Sequence, residues 1–581
     1  MCAHRHAPRL LLSGALALLL SACGGGGGGG EASSQASAAD EGTKSIAAAA
    51  TPLLATQRDA VRLADQASFG ANEALVTAIR TAGTEAWVAA QLTTSGSSYT
   101  RGGDARIDRT ADGVDPCAGA GDTCWRDYYS TEPLLWDFYR NAIGRSDQLR
   151  QRVAFALGQI LVVSAHEVSG TYGWRVYHNA LLSNAFGNYR EVLRKVTLSP
   201  LMGEYLDHVN NDKLAPNENF ARELLQLFAL GTCQLNADGT LAGSRCLPTY
   251  DNATVRAYAY ALTGWSYPAG GSSQWGCWPE GANCRYLAGD MVAKPVLQDN
   301  QARSLLGGVT VPASRTPAQA LNLVLDSLMA HPNMAPFIGR QLIQQLVKSN
   351  PTPAYVKRVA TAFSSGRFLK GTRSFGTGTR GDLAATVAAV LLDSEARNSA
   401  PPLVAEKLRE PVLMMTGVLR GLNGRSDGAA LGWWWGEGLR QHVFMSPSVF
   451  GFYPPNYPVA GTRLVGPAFG VYNANTAFAR LNFINALLYW DGFAPESSVP
   501  GALGTGVNLA AFRADAADAT LLVERLVALA TGGRLSAAAK ARIVEAVNAW
   551  PTTDAGIDWR TERVRTAAYL VYASPAYQVL N

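Results

Sequence analysis

The chain has 581 residues, of which 48% are hydrophobic and 16% charged. That much apolar material buries a large core and excludes wholesale disorder. Basic residues number 50 against 45 acidic, a net charge of +5 that is too small and too dispersed for a nucleic-acid binder.

His4, Arg5, His6 and Arg9 make a short basic start, and Leu10 to Leu20 is an apolar run. About eleven apolar residues suit a signal-peptide core and are too few to span a bilayer. The run ends in Leu20-Ser21-Ala22-Cys23, which resembles the lipobox of bacterial lipoproteins. The resemblance implies that residues 1–22 are cut away and that acylated Cys23 anchors the chain in a lipid bilayer. There is no twin arginine, which favours the Sec route. Gly24 after the cysteine favours the outer membrane of a Gram-negative cell envelope, and both faces of that membrane stay open. Gly24 to Gly30 are consecutive glycines, and the Ala/Ser-rich stretch to Thr51 has almost no large apolar residue. Residues 23–51 therefore read as a flexible tether.

Eight cysteines are present. Cys2 leaves with the leader and Cys23 is the anchor. The others fall in close pairs: Cys117 with Cys124, Cys233 with Cys246, Cys277 with Cys284. In an exported chain such clustering reads as local disulfides that staple loops. The C-x2-C spacing of a zinc site is missing, so no metal is expected there.

From residue 52 to 581 the pattern is mainly α. Leu149 to Val163 carries a helical stripe of Val153, Leu157, Ile160 and Leu161. Similar stripes cover Phe337–Leu346, Leu383–Leu392, Leu403–Leu419, Phe478–Leu488, Leu521–Leu529 and Ala538–Val547. Strand-like runs are few and short. Long loops rich in Gly, Trp and Pro cover 94–127, 233–249, 267–312 and 423–465, and such loops are where binding surfaces usually lie. The expectation is one large multi-helix domain with disulfide-stapled loops, with room for a C-terminal subdomain from about residue 400.

Several catalytic signatures fail. His166-Glu167 is followed by Val168-Ser169-Gly170, so there is no H-E-x-x-H. Gly424 to Gly428 fits G-x-S-x-G, but the segment before it looks helical and offers no strand for a nucleophile elbow, so it reads as a turn. Cys246-Leu247-Pro248-Thr249-Tyr250 lacks a sulfatase arginine. No phosphate-binding or dinucleotide fingerprint sits in the right context.

The polar constellation lies in residues 201–231. Pro216 suits the first turn of a helix and Gly231 its end. Phe220, Leu224, Leu227 and Phe228 form an apolar face. Glu218 with Arg222, and Asn219 with Glu223, are i, i+4 neighbours. Asp207, His208, Asn210, Asn211, Asp212 and Lys213 lie upstream in a loop. Such density suits binding of a polyhydroxylated ligand, a hard cation, or proton transfer. The candidate acids and bases are Glu218, Glu223, His208 and Asp207. The candidate binding residues are Asn211, Lys213, Asn217, Asn219, Arg222 and Trp265. Glu218 and Glu223 stand about 140° apart on a helix, so both cannot face one ligand atom. As a glycosidase pair, one would have to work with Asp207 or Asp212. The same residues also fit a plain salt-bridge network joining helices. A second cluster is aromatic: Trp433, Trp434 and Trp435 between glycines, with Trp265, Trp275 and Trp278 elsewhere. Exposed indoles stack on sugar rings, whereas buried ones fill core.

Several strings together resemble the bacterial domain-of-unknown-function 1800 family. They are Asn184-Ala-Phe-Gly-Asn188-Tyr-Arg190, Val196-Thr-Leu-Ser-Pro200, Pro216-Asn-Glu-Asn-Phe-Ala-Arg-Glu223-Leu-Leu-Gln-Leu-Phe228 and Leu262-Thr-Gly-Trp265. Further matches are Arg340-Gln-Leu-Ile, Arg380-Gly-Asp-Leu383, Lys407-Leu-Arg-Glu-Pro411, Pro447-Ser-Val-Phe450 and Tyr453-Pro-Pro455. They run in order from about residue 60 onward. The resemblance implies a large exported, mainly helical protein, often encoded beside a second exported family, with no established reaction. Two departures stand out. A W-H-x-H-F pattern common in the family is replaced by Phe155-Ala-Leu-Gly-Gln-Ile160. An H-D-x3-K pattern is replaced by Gln298-Asp299-Asn-Gln-Ala-Arg303. Where those histidines bind metal or act as bases in relatives, this chain lacks them. The functional expectation is a lipid-anchored envelope protein that binds or processes a glycan. The competing class is a non-enzymatic scaffold that assembles with a partner exported protein. No cofactor is assigned.

Overall fold

The computed structural model describes residues 53–103, 117–269, 284–397, 406–553 and 556–580. They are mainly helical, with four short two-stranded antiparallel sheets. The helical stripes become helices where their apolar spacing predicts. Gln148–Ile160 buries Leu149, Val153, Leu157 and Ile160. Met334–Leu346 buries Ile338, Leu342, Ile343 and Leu346. Leu383–Leu392 is apolar all round and is buried all round. Its Asp382 caps it by accepting from the Ala385 N–H at 2.9 Å. Ala474–Tyr489, Ala519–Thr531 and Ala537–Asn548 contain the remaining predicted stripes.

One expectation is corrected. Among the described residues of the stripe drawn over 403–419, the helix begins only at Pro411 and runs to Gly421. Proline without an N–H opens a helix readily, and here it sits in the first turn. The residues before it are extended instead: Lys407–Leu408 pairs with Val579–Leu580.

The described body forms one compact unit, and its main apolar core runs from Ala60 to Leu580. Leu391 and Val412, on either side of residue 400, share that core. The helices come close where glycines allow it. A Cβ on Gly70 would lie 2.4 Å from the Gly417 Cα, and Gly70 also adopts φ 130°.

Several residues of the family strings are buried charged struts. Arg409 holds both oxygens of Asp65 at 3.1 and 3.0 Å and donates to the Tyr577 carbonyl at 3.0 Å. Glu410 lies fully buried between Arg152 at 3.7 Å and Lys407 at 3.8 Å. Gln441 and the Tyr453 hydroxyl each donate to it at 2.7 Å. Burial pushes the Glu410 carboxyl up, but Lys407, Arg152 and these donors together hold it below the usual range.

Cys117–Cys124 and Cys233–Cys246 are disulfides. Cys277 lies outside the described residues, as do Trp275, Trp278 and residues 1–52 with Cys23. Among the described residues no helix is long and apolar enough to cross a membrane.

Candidate functional site

The central cluster is built by a tight loop. Asp207 and Asn210 take left-handed backbone conformations, φ 55° and 59°. Asn211 then clamps the loop: its side chain accepts from the Asn217 N–H at 2.8 Å and donates to the Asn217 carbonyl at 3.1 Å. That clamp keeps Pro216 out of the helix, which starts at Asn219 rather than at the proline. Asn219–Glu223 is a short α segment that widens into a π-helix over Leu224–Ala229. Leu224, Leu225 and Phe228 face the core.

The charged side chains mostly neutralise one another. Glu218 receives Arg222 at 3.0 Å and Arg256 at 3.2 Å. Asn219 donates to Asp207 at 3.1 Å. Lys213 is half-buried, and its backbone N–H bonds Leu297. His208 is fully buried and lies against Phe220. Burial pushes its pKa down to about 3, so it is neutral at pH 7 and sealed from any ligand. Trp265 is also buried. Asp299 and Arg303, from the stretch that departs from the H-D-x3-K pattern, form a two-pronged ion pair at 2.6 and 3.1 Å.

Glu223 differs from its neighbours. One of its carboxylate oxygens is buried without a hydrogen-bond partner. Burial raises its pKa, against the pull of Arg222. The Tyr250 hydroxyl is also buried and unpartnered, and its pKa is pushed up to about 12 by burial and by Glu223. The structure thus bonds Asp207, Asn211, Asn217 and Asn219 into one set and Glu218 with Arg222 and Arg256 into another. His208 and Trp265 pack into the interior.

The aromatic cluster opens onto space. Trp433 and Trp434 are 57% and 72% exposed, whereas Trp435 is buried. Trp435 packs edge-on against Phe483 at 5.3 Å and Phe493 at 5.9 Å. The two exposed indoles line a cleft of about 680 Å³ together with Trp136, Phe493, Glu132 and Glu496. The Trp433 indole N–H donates to Glu132 at 3.1 Å, and its ring meets His442 at 4.6 Å. Burial raises the Glu132 pKa, aided by Glu496 and Asp127 and opposed by the Trp433 bond and Arg126.

Asp427 of the G-x-S-x-G segment lines this cleft, but the segment is extended rather than the expected turn: Arg425 pairs antiparallel with Gly506. Asp427 accepts from the N–H groups of Leu503, Gly504 and Ala429 at 2.8, 2.7 and 3.1 Å. Ser426 shares a 2.6 Å hydrogen bond with Thr505. Sequence reasoning found the tryptophans but missed Glu132 and Glu496. Those residues are hundreds of positions apart and carry no local motif.

Among the described residues no group of three or more His, Cys, Asp or Glu side chains is arranged to hold a metal ion. The chain belongs to the family described as "Protein of unknown function (DUF1800)", whose model matches residues 62–579. No curated protein and no solved structure matches it.

Proposed function

We propose that this chain is a lipid-anchored envelope protein that binds a glycan in the Trp433–Trp434 cleft. The observation that carries the reading is the pair of adjacent exposed indoles beside Glu132 and Glu496 in one open cleft. Indole faces stack on the apolar faces of sugar rings, and carboxylates accept from sugar hydroxyls. The cleft volume falls in the range of small-molecule sites. The leader and Cys23 support delivery to the outer membrane. A flexible tether over residues 23–51 would carry the body roughly 30 Å from the anchor. The competing reading is a non-enzymatic scaffold with a partner exported protein. It is favoured by the double ion pairing of Glu218, which leaves that carboxylate little capacity for chemistry.

Affinity electrophoresis of protein lacking residues 1–50, run in gels cast with different polysaccharides, tests the glycan reading. Retardation by at least one polysaccharide is expected, and Trp433→Ala and Trp434→Ala should each weaken it by about tenfold. Retardation that is equal in wild type and both variants overturns the assignment.

A further inference from the structure

A second cavity, unconnected with the tryptophan cleft in sequence or lining, has a different chemistry. It measures about 410 Å³. One wall is a single face of the Met334–Leu346 helix: Phe337, Arg340, Gln341 and Gln344 follow i, i+3, i+4, i+7 spacing. The facing wall is the π-helix, which contributes Gln226 and Leu227. π-Helical turns are rare and recur at functional sites. Phe450 and the Cys233 strand of the disulfide loop line the rest.

Three features of this cavity point to one ligand chemistry. First, no Asp or Glu lines it among the described residues. Second, Arg340 reaches solvent at the mouth, while protein packs around it closely enough for burial to lower its pKa. No described carboxylate opposes that shift, in contrast to the paired arginines of the core. Third, the Gln341 Nε2 is buried with no hydrogen-bond partner. A buried amide donor left without an acceptor is costly, and a ligand acceptor recovers that cost. A forked guanidinium and an orphan amide N–H together match an oxyanion. Leu227, Phe337 and Phe450 supply apolar surface beside them.

We propose that this cavity binds an amphiphile with a single oxyanion head, its head on Arg340 and Gln341 and its apolar body against Leu227, Phe337 and Phe450. The head is a carboxylate or a phosphate. The site is independent of the glycan cleft and stands or falls without it.

Isothermal titration of the body from residue 53 onward, which contains the whole apolar core, tests the proposal. The probes are decanoate, decyl phosphate and decanol, each kept below its aggregation threshold. Saturable one-to-one binding of at least one anion is expected, with decanol at least tenfold weaker. Tighter decanoate binding names the carboxylate as the head, and tighter decyl phosphate binding names the phosphate. Arg340→Gln should weaken the anion at least tenfold and erase its advantage over decanol. Leu227→Trp, which fills the cavity from the opposite wall, should abolish binding of all three probes. Anion binding that does not saturate, that decanol equals, or that survives both substitutions overturns the proposal. Urea unfolding of each variant confirms that the fold is retained, and Leu227→Trp gives a second reading if Arg340→Gln unfolds.

Discussion

His208 lies flat against Phe220, with ring centroids 4.5 Å apart and planes 16° from parallel. Neither imidazole nitrogen has a partner. His178 stacks on Trp174 in the same way, at 5.7 Å and 11°, and its pKa is also pushed down to about 3 by burial. Both histidines are held neutral inside the protein but protonate near pH 6.5 once unfolded. Between those values the unfolded chain binds more protons, so stability is complete above pH 6.5 and drains as pH falls toward 3. Each histidine should cost about 1.4 kcal/mol per pH unit in that window. Urea unfolding at pH 7 and pH 4.5 should show the loss, and His208→Leu should flatten the slope by that amount. An unchanged slope in the variant would mean that His208 titrates normally in the fold.

The three consecutive tryptophans divide their labour. Trp435 fills core between Phe483 and Phe493, so Trp435→Ala should destabilise by about 3–5 kcal/mol. Trp433→Ala and Trp434→Ala remove exposed rings and should change stability by about 0.5 kcal/mol or less. Thermal melts of the three variants distinguish these roles. Equal losses at all three positions would contradict the inward and outward arrangement.

Glu410 balances two buried cations. Glu410→Gln leaves Arg152 and Lys407 inside without their counter-charge and should cost about 3–5 kcal/mol at pH 7. The Lys407 ammonium, already lowered to about 8 mainly by burial, loses its proton readily there. The deficit of the variant should therefore shrink when unfolding is measured at pH 9. A deficit that grows with pH would assign the loss to something other than stranded positive charge.

The helices were legible because their apolar periodicity survives burial on one face. Leu149 to Ile160 and Phe337 to Leu346 needed no tertiary information. The start of the 216–231 helix was not legible, because Asn211 reaches across the loop to hold Asn217 and delays the first turn. Nor does a run such as Leu224–Ala229 announce a π-helix, since its hydrophobic spacing also fits an α-helix. Glu218 and Arg222 were read together from i, i+4 spacing, but the second arginine, Arg256, comes from another helix. Glu132 meets Trp433, and Gln226 and Arg340 come to line one cavity, only through the packing of distant elements. Single-chain patterns carry local geometry well, and cavities assembled from remote segments hardly at all.

Arg409 ties Asp65 to Tyr577, partners separated from it by 344 and 168 positions. The bond to Tyr577 cannot form until the residues near 577 are available to the rest of the chain. During vectorial synthesis the Arg409 strut would therefore stay half-made, holding Asp65 but not yet the final segment. Such late latching favours a chain that completes its core in one cooperative step once its last residues arrive.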